Sequence, residues 1–161
     1  MQNIQIICLG KQDTDYYRLA AAEYEKRLSA YCRLTVTELS PETVNDKKPS
    51  KVLIEKALDK EGKAILSSVL KGANIVALCI EGKEISSEGL SEMLSTAAIG
   101  GNGDFAFIIG SSHGISQEVK KAATHKLSMS KMTFPHQLAR VMLTEQLYRA
   151  FSILNGSKYH K

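Results

Sequence analysis

Four histidines, His113, His125, His136 and His160, all fall between Ser111 and Lys161. They share that segment with eight lysines and arginines and only two acids, Glu118 and Glu145. Imidazoles exchange protons near neutral pH, and clustered cations bind phosphates. The pattern predicts a cationic end that meets a polyanion and does chemistry on it. Residues 1–110 carry thirteen basic and fifteen acidic side chains, so the overall +4 combines a +6 end with a −2 body. On composition alone, a solvated basic surface is the competing explanation.

Three stretches concentrate the chemistry: GSSHG at 110–114, LSMSKMTFPH at 127–136 and SKYHK at 157–161. Glycines at 110 and 114 let the backbone approach a ligand and present its N–H groups. No GxGxxG follows the first strand and no GxxxxGK[ST] occurs, so the usual dinucleotide and P-loop sites lack their motifs. HExxH, HxH and Cys/His clusters are missing too, and no metal is expected. Ser111, Ser112 and His113 are adjacent, yet GxSxG is absent and no acid partner is evident, which argues against a hydrolase. His125 reads as a surface residue and His136, in the first turn of the last helix, as a structural one. The tail places a phenol, an imidazole and two ammonium groups within four residues, where the plainer expectation is a frayed basic terminus.

These groups need elements to position them. Residues 4–9 and 34–39 read as strands, the second with one wetter face and nearer an edge. Residues 15–31 form a helix pattern, and Ser50 can cap another that runs to about Lys71, with Gly62 weakening its middle. Residues 74–80 and 105–109 are nearly continuous apolar runs, as in parallel strands covered on both faces. The run 74–80 leads into Glu81-Gly82-Lys83-Glu84, with the strand's carboxyl end at Leu78 to Lys83, and Ser86 or Ser87 can cap a helix through about Ala98. Ser116 can cap a short helix before a strand at about 126–129. The last helix starts near Pro135 and ends before Gly156. Alternating strands and helices predict an α/β fold, a mainly parallel sheet with ligands beyond the carboxyl ends of its strands.

With 161 residues, 43% hydrophobic and 24% charged, the chain is expected to form a single globular domain. No apolar run reaches the span of a membrane helix, and the N-terminus has no signal-peptide pattern. Three cysteines without CxxC spacing point to a reducing cytoplasm. The last helix is apolar over more of its circumference than one sheet can cover, through Leu138, Val141, Met142, Leu143, Leu147, Tyr148, Ala150, Phe151 and Leu154. This predicts a symmetric homodimer. Arg140, Thr144, Glu145 and Arg149 are expected on its remaining face.

The combination IEGKE, IIGSSHGIS and LSMSKMTFPHQLARVMLTEQLYRAFSILNGSKYHK resembles the bacterial large-subunit rRNA pseudouridine N3-methyltransferases. These belong to the SPOUT class of S-adenosylmethionine-dependent RNA methyltransferases. The resemblance extends over essentially all of the chain, including the opening strand and EYEKRLSAYC. It implies an α/β sheet with helices on both faces and a C-terminal trefoil knot, in one SPOUT domain over residues 1–161. It further implies a homodimer acting on 23S rRNA in the assembled ribosome. Chain-topology rules alone argue against a knot. The resemblance also implies cofactor contacts at Leu78, Gly110, Met129, Ser130, Lys131, Met132, Thr133 and Phe134. Where the family reads Ile-Gly-Gly, this chain has Ser111 in place of the second glycine, so weaker or slightly altered cofactor binding rather than its loss is expected.

Such an enzyme moves a methyl group from a sulfonium to the N3 nitrogen of a uracil-type base. The expected participants are His160 and Tyr159 in a tail folded over the cleft, with Arg140 and Arg149 holding phosphate or developing negative charge. Lys120, Lys121, Lys126, Lys158 and Lys161 are expected to contribute phosphate contacts. Two other classes stay open on the residues alone: a non-catalytic RNA-binding module, and a nucleotide-dependent enzyme of the Rossmann type.

Overall fold

A computed structural model describes residues 1–161. Ten elements alternate: β1 (Asn3–Leu9), α1 (Asp15–Leu28), β2 (Arg33–Leu39), α2 (Lys51–Ser68), β3 (Asn74–Glu84), α3 (Ser87–Ile99), β4 (Phe105–Ile109), α4 (Gln117–Ala122), β5 (His125–Ser128) and α5 (His136–Leu154). The strands form one parallel sheet in the order β2-β1-β4-β3-β5. Apolar burial explains the order. β1 and β4 are buried along nearly their whole length and take the centre, whereas β2 alternates and lies at an edge.

Alternate strand residues enter two cores. Ile4, Ile6, Val76, Phe105 and Phe107 meet Leu28 of α1, Leu94 of α3 and Leu143, Leu147 and Phe151 of α5. On the opposite face, Ile7, Leu9, Ala77 and Ile108 meet Ile65 of α2 and Val119 of α4. The helices therefore cover both faces. Each fully buried Leu, Ile or Phe contributes about 1.5–3 kcal/mol relative to exposure, and these two layers hold the strand ends in register. Ser50, Ser86 and Ser116 cap their helices, accepting from the N–H groups of Leu53, Gly89 and Val119. Buried Gln5 fits within β1 because its Nε2 donates to Ser68 O (2.8 Å) and its Oε1 accepts from Leu70 N (3.1 Å). No helix is long and apolar enough to cross a membrane.

One boundary differs from the sequence expectation. The apolar run ends at Ile80, but β3 continues through residues 81–84 to Glu84. Leu78 and Lys83 both align with Leu127 of β5, so residues 79–82 arch out of the ladder between two pairings to the same residue. Gly82 closes the arch. A Cβ at that position would stand 2.6 Å from the Leu127 carbonyl carbon and 2.7 Å from its nitrogen. Backbone atoms cannot yield as a side chain can. Gly82→Ala is expected to lower stability by about 1–3 kcal/mol in denaturant unfolding, and an unchanged midpoint would contradict the close packing of the arch.

Candidate functional site

The arch and two loops meet beyond the carboxyl ends of the strands. Leu78, the last β3 residue before the arch, lines three neighbouring hollows of about 370, 770 and 120 Å³. The first is walled by Leu90, Leu127, Met129, Met142 and Leu143, with Ser128, Ser130 and Gln146 as polar groups. The second runs between Gly110–Ile115 and Thr133–His136, with Cys79, Ile80 and Glu81 of the arch along one side. The third joins arch to loop through Ser130, Met132, Thr133 and Phe134. Thus Leu78, Gly110, Met129, Ser130, Met132, Thr133 and Phe134 line three adjoining hollows that share Leu78. Lys131 lines none of these hollows and points to solvent.

Local geometry fixes both loops. Gly110 must be glycine, because a Cβ there would meet Gly114 O at 2.3 Å, and Ser111 pairs with Gly114 across the turn. In the other loop Ser128 Oγ donates to Ser130 O (2.9 Å), and Ser130 Oγ accepts from Met132 N (3.0 Å). The N–H groups of Thr133 and Phe134 take part in none of the loop's backbone bonds and remain available as donors.

Sequence reading undervalued His136. It faces the 770 Å³ hollow and a second one of about 360 Å³ beside Gly10. A Cβ on Gly10, whose φ is +113°, would lie 3.0 Å from His136 Nε2, so the turn after β1 leaves room for the ring. The signal was divided between a glycine and a histidine 126 positions apart, which no local pattern joins. His113 also borders the 770 Å³ hollow. Lys120 does as well, but as a hydrogen-bonded partner of Glu81, whose carboxyl it holds below its ordinary pKa. It is therefore not a free phosphate contact. No cluster of three or more His, Cys, Asp or Glu is placed to hold a metal. Burial pushes the Cys8 and Cys32 thiols up to about 12 and about 11, which removes them as nucleophiles near neutral pH.

The family model described as "Predicted SPOUT methyltransferase" matches residues 2–160. The chain belongs to the SPOUT methyltransferase family. It is 46% identical over 159 residues to Ribosomal RNA large subunit methyltransferase H 1 of Clostridium perfringens strain SM101, covering 99% of each chain. It is 49% identical over 160 residues to Ribosomal RNA large subunit methyltransferase H of Clostridium botulinum strain Alaska E43, again covering 99% of each. In fold it is similar to a probable methylase family protein from Haemophilus influenzae Rd KW20. That match has a TM-score of 0.57 and 16% identity, covering 99% of this chain and 71% of the other.

In this SPOUT chain the tail folds back on α5 and the start of α3. Tyr159 Oη donates to Glu145 Oε1 (3.0 Å), and Tyr159 packs edge-on against Tyr148 at 4.7 Å. The Arg149 guanidinium lies 4.6 Å over the Tyr159 ring and bonds Glu145 through Nε (3.0 Å). His160 Nε2 is 2.8 Å from Glu88 Oε1, and its Nδ1 is 3.5 Å from Arg149. Glu88 follows Ser86, a wall of the 370 Å³ hollow, by two residues. Tyr159, His160, Arg149 and Glu145 are thus brought together, whereas Lys158 and Lys161 are exposed. Burial raises the Tyr159 phenol pKa, and the bond to Glu145 adds to the effect.

Arg140 requires a correction. It is not on the free face of α5 but only 8% exposed, donating to Glu38 (2.6 Å) and Glu25 (3.1 Å). It joins α5 to β2 and α1, because a buried guanidinium needs carboxylate partners. Thr144, also expected on that face, is fully buried and bonds back to Arg140 O at 2.8 Å. Burial works against the charge of Arg140, but its hydrogen bonds to Glu38 and Glu25 raise its pKa. The same bond from Arg140 lowers that of Glu38. The stability this gives is complete above the unfolded carboxyl pKa of about 4.3 and is lost as pH falls through the lower folded value. The acid limb of a stability–pH curve should therefore flatten in Glu38→Gln. Arg140→Ala should cost about 2 kcal/mol at pH 7, less than for a fully enclosed pair because both glutamates are partly hydrated.

Proposed function

We propose that this chain transfers a methyl group from S-adenosylmethionine to N3 of a pseudouridine in 23S rRNA. It acts on the assembled ribosome as a cytoplasmic homodimer of one SPOUT domain over residues 1–161. One observation carries the reading. Leu78, Gly110 and five residues of the 129–134 loop (all but Lys131) line adjoining hollows at the strand ends, in a chain close to half identical, end to end, to ribosomal RNA methyltransferases.

The lining suits the cofactor. An adenosyl group needs apolar walls, and Leu78, Leu127, Met129, Met142 and Leu143 supply them. Its ribose and amino-acid ends need donors and acceptors, which Ser130, the N–H groups of Thr133 and Phe134 and the Gly110 backbone offer. Lys131 and Met132 complete that loop. When bound, S-adenosylmethionine supplies an electrophilic methyl group on a sulfonium.

The methyl acceptor is an imide nitrogen, so its N–H bond must break as the N–C bond forms. Ideal alignment is worth up to roughly 7–11 kcal/mol. A positioned base contributes about 10²–10⁴ in rate, or roughly 3–5 kcal/mol. The cleft that holds both partners therefore does most of the work. His160 is the assigned proton acceptor, its ring held between Arg149 and Glu88; Nε2 donates to Glu88 here, so release from Glu88 must be accompanied by a shift of the ring proton to Nδ1 before Nε2 can take the imide proton. Arg149, Lys158 and Lys161 contact phosphate. Support for a second copy comes from Ile80 and Met132, 50% and 74% exposed at the mouth of the cleft. Large apolar side chains beside a site favour a covering partner. The trefoil knot belongs to the same reading. β5 is an edge strand, yet α5 returns to pack on β1 and β4, so residues 129–135 must cross back over the sheet.

Calorimetry is expected to register S-adenosylmethionine but neither NAD nor ATP. Mass spectrometry of rRNA nucleosides should show one methylated pseudouridine lost from cells without the protein and regained on complementation; an unaltered profile would overturn the substrate assignment. Removing residues 158–161 should abolish methylation and leave cofactor affinity within about twofold, since alignment and base assistance separate. Full activity in the truncated chain would reject the role of the tail. Affinity for rRNA should fall as salt rises, because phosphate contacts release counterions.

A further inference from the structure

Glu61 is a carboxylate in the middle of α2, only 4% exposed and outside the cleft. Its Oε2 accepts from Ser111 Oγ at 2.9 Å, and its Oε1 accepts from the backbone N–H of Glu42 at 3.0 Å. The neighbouring Lys60 turns to Glu42 instead, at 3.8 Å. Burying a carboxylate is costly unless hydrogen bonds satisfy it, and an apolar side chain would fill the same space at lower cost. The next residue, Gly62, breaks another local rule, since glycine weakens a helix interior. Here a Cβ would meet Ser116 Oγ at 2.3 Å, so glycine lets α2 press against the cap of α4. Two unfavourable choices in succession thus dock α2 onto both ends of the loop 110–116.

We propose that Glu61 is a positioning residue for the cofactor cleft. It draws the Ser111 hydroxyl back toward α2, so that the Gly110 turn is held open to the ligand and linked, through the Glu42 amide, to the loop 41–49 that connects β2 to α2. The inference rests on the cofactor reading given above. Ser111 both lines the 770 Å³ hollow and bonds Glu61, so the carboxylate lies one hydrogen bond behind the cleft wall.

The test uses the full chain with Ser111→Ala, Glu61→Gln and the double variant, measured by calorimetry with S-adenosylmethionine, thermal unfolding and amide exchange at Glu42. A hydrogen bond to a charged group supports an expected loss of about tenfold in cofactor affinity for each single variant. The double variant should be no worse than the weaker single one, because both changes cut the same link. Ser111→Ala alone should speed exchange of the Glu42 amide by about threefold or more, through the loosened carboxylate. Additive losses, or lowered thermal midpoints with unchanged affinity, would overturn the proposal and leave Glu61 a packing residue. If the unmodified chain bound no S-adenosylmethionine, the methyl-transfer reading would fall. The Glu42 exchange response would still decide whether Ser111, Glu61 and the 41–49 segment are linked, and no response there would refute the link.

Discussion

β3 aligns with Leu127 twice, before and after residues 79–82, and the cleft depends on that double pairing. A strand that ended at Leu78 would leave a flat sheet edge with nothing to enclose a ligand. One that paired without interruption would fill the space where Cys79, Ile80 and Glu81 now stand clear. The arch is possible because Gly82 has no Cβ to strike the Leu127 backbone. It holds its shape because Val76 and Ala77 behind it are fully buried between two helical layers. The packed sheet thus sets the position of the arch, and the arch sets the width of the cleft.

Electrostatics then sort the basic residues into two groups. Arg140, Arg149 and Lys120 are each matched to carboxylates, at Glu25 and Glu38, at Glu145 and at Glu81. Arg140 and Lys120 thereby join separate elements, whereas Arg149 pairs within α5 and stays partly exposed. Lys121, Lys126, Lys131, Lys158 and Lys161 remain exposed and supply the field that a polyanion would meet. The +6 of the final third therefore overstates the cation free for a partner, although the sign of that surface stands.

Much of the architecture was legible in the chain. The apolar runs 74–80 and 105–109 marked covered strands, Ser50, Ser86 and Ser116 marked helix starts, and the alternation at 34–39 marked an edge. The converging loops followed from the rule that ligands gather at strand carboxyl ends. The continuation of β3 through 81–84 was not legible because EGKE breaks the apolar run, while its pairing depends on a strand more than forty residues later. Arg140 was misplaced for a related reason. Helical spacing gives its angle around α5 but not the two glutamates from α1 and β2 that enclose it.

What the sequence determined by itself was local and additive: which segments bury apolar surface, where helices begin, and which loops carry glycine and histidine. Tertiary structure decided the pairings between residues far apart: His136 against Gly10, Ser111 against Glu61, and His160 against Glu88. The physical reason is range. Hydrophobic periodicity and capping act over a few residues, whereas a hydrogen bond or a close backbone approach joins whatever the packed sheet brings within about 3 Å.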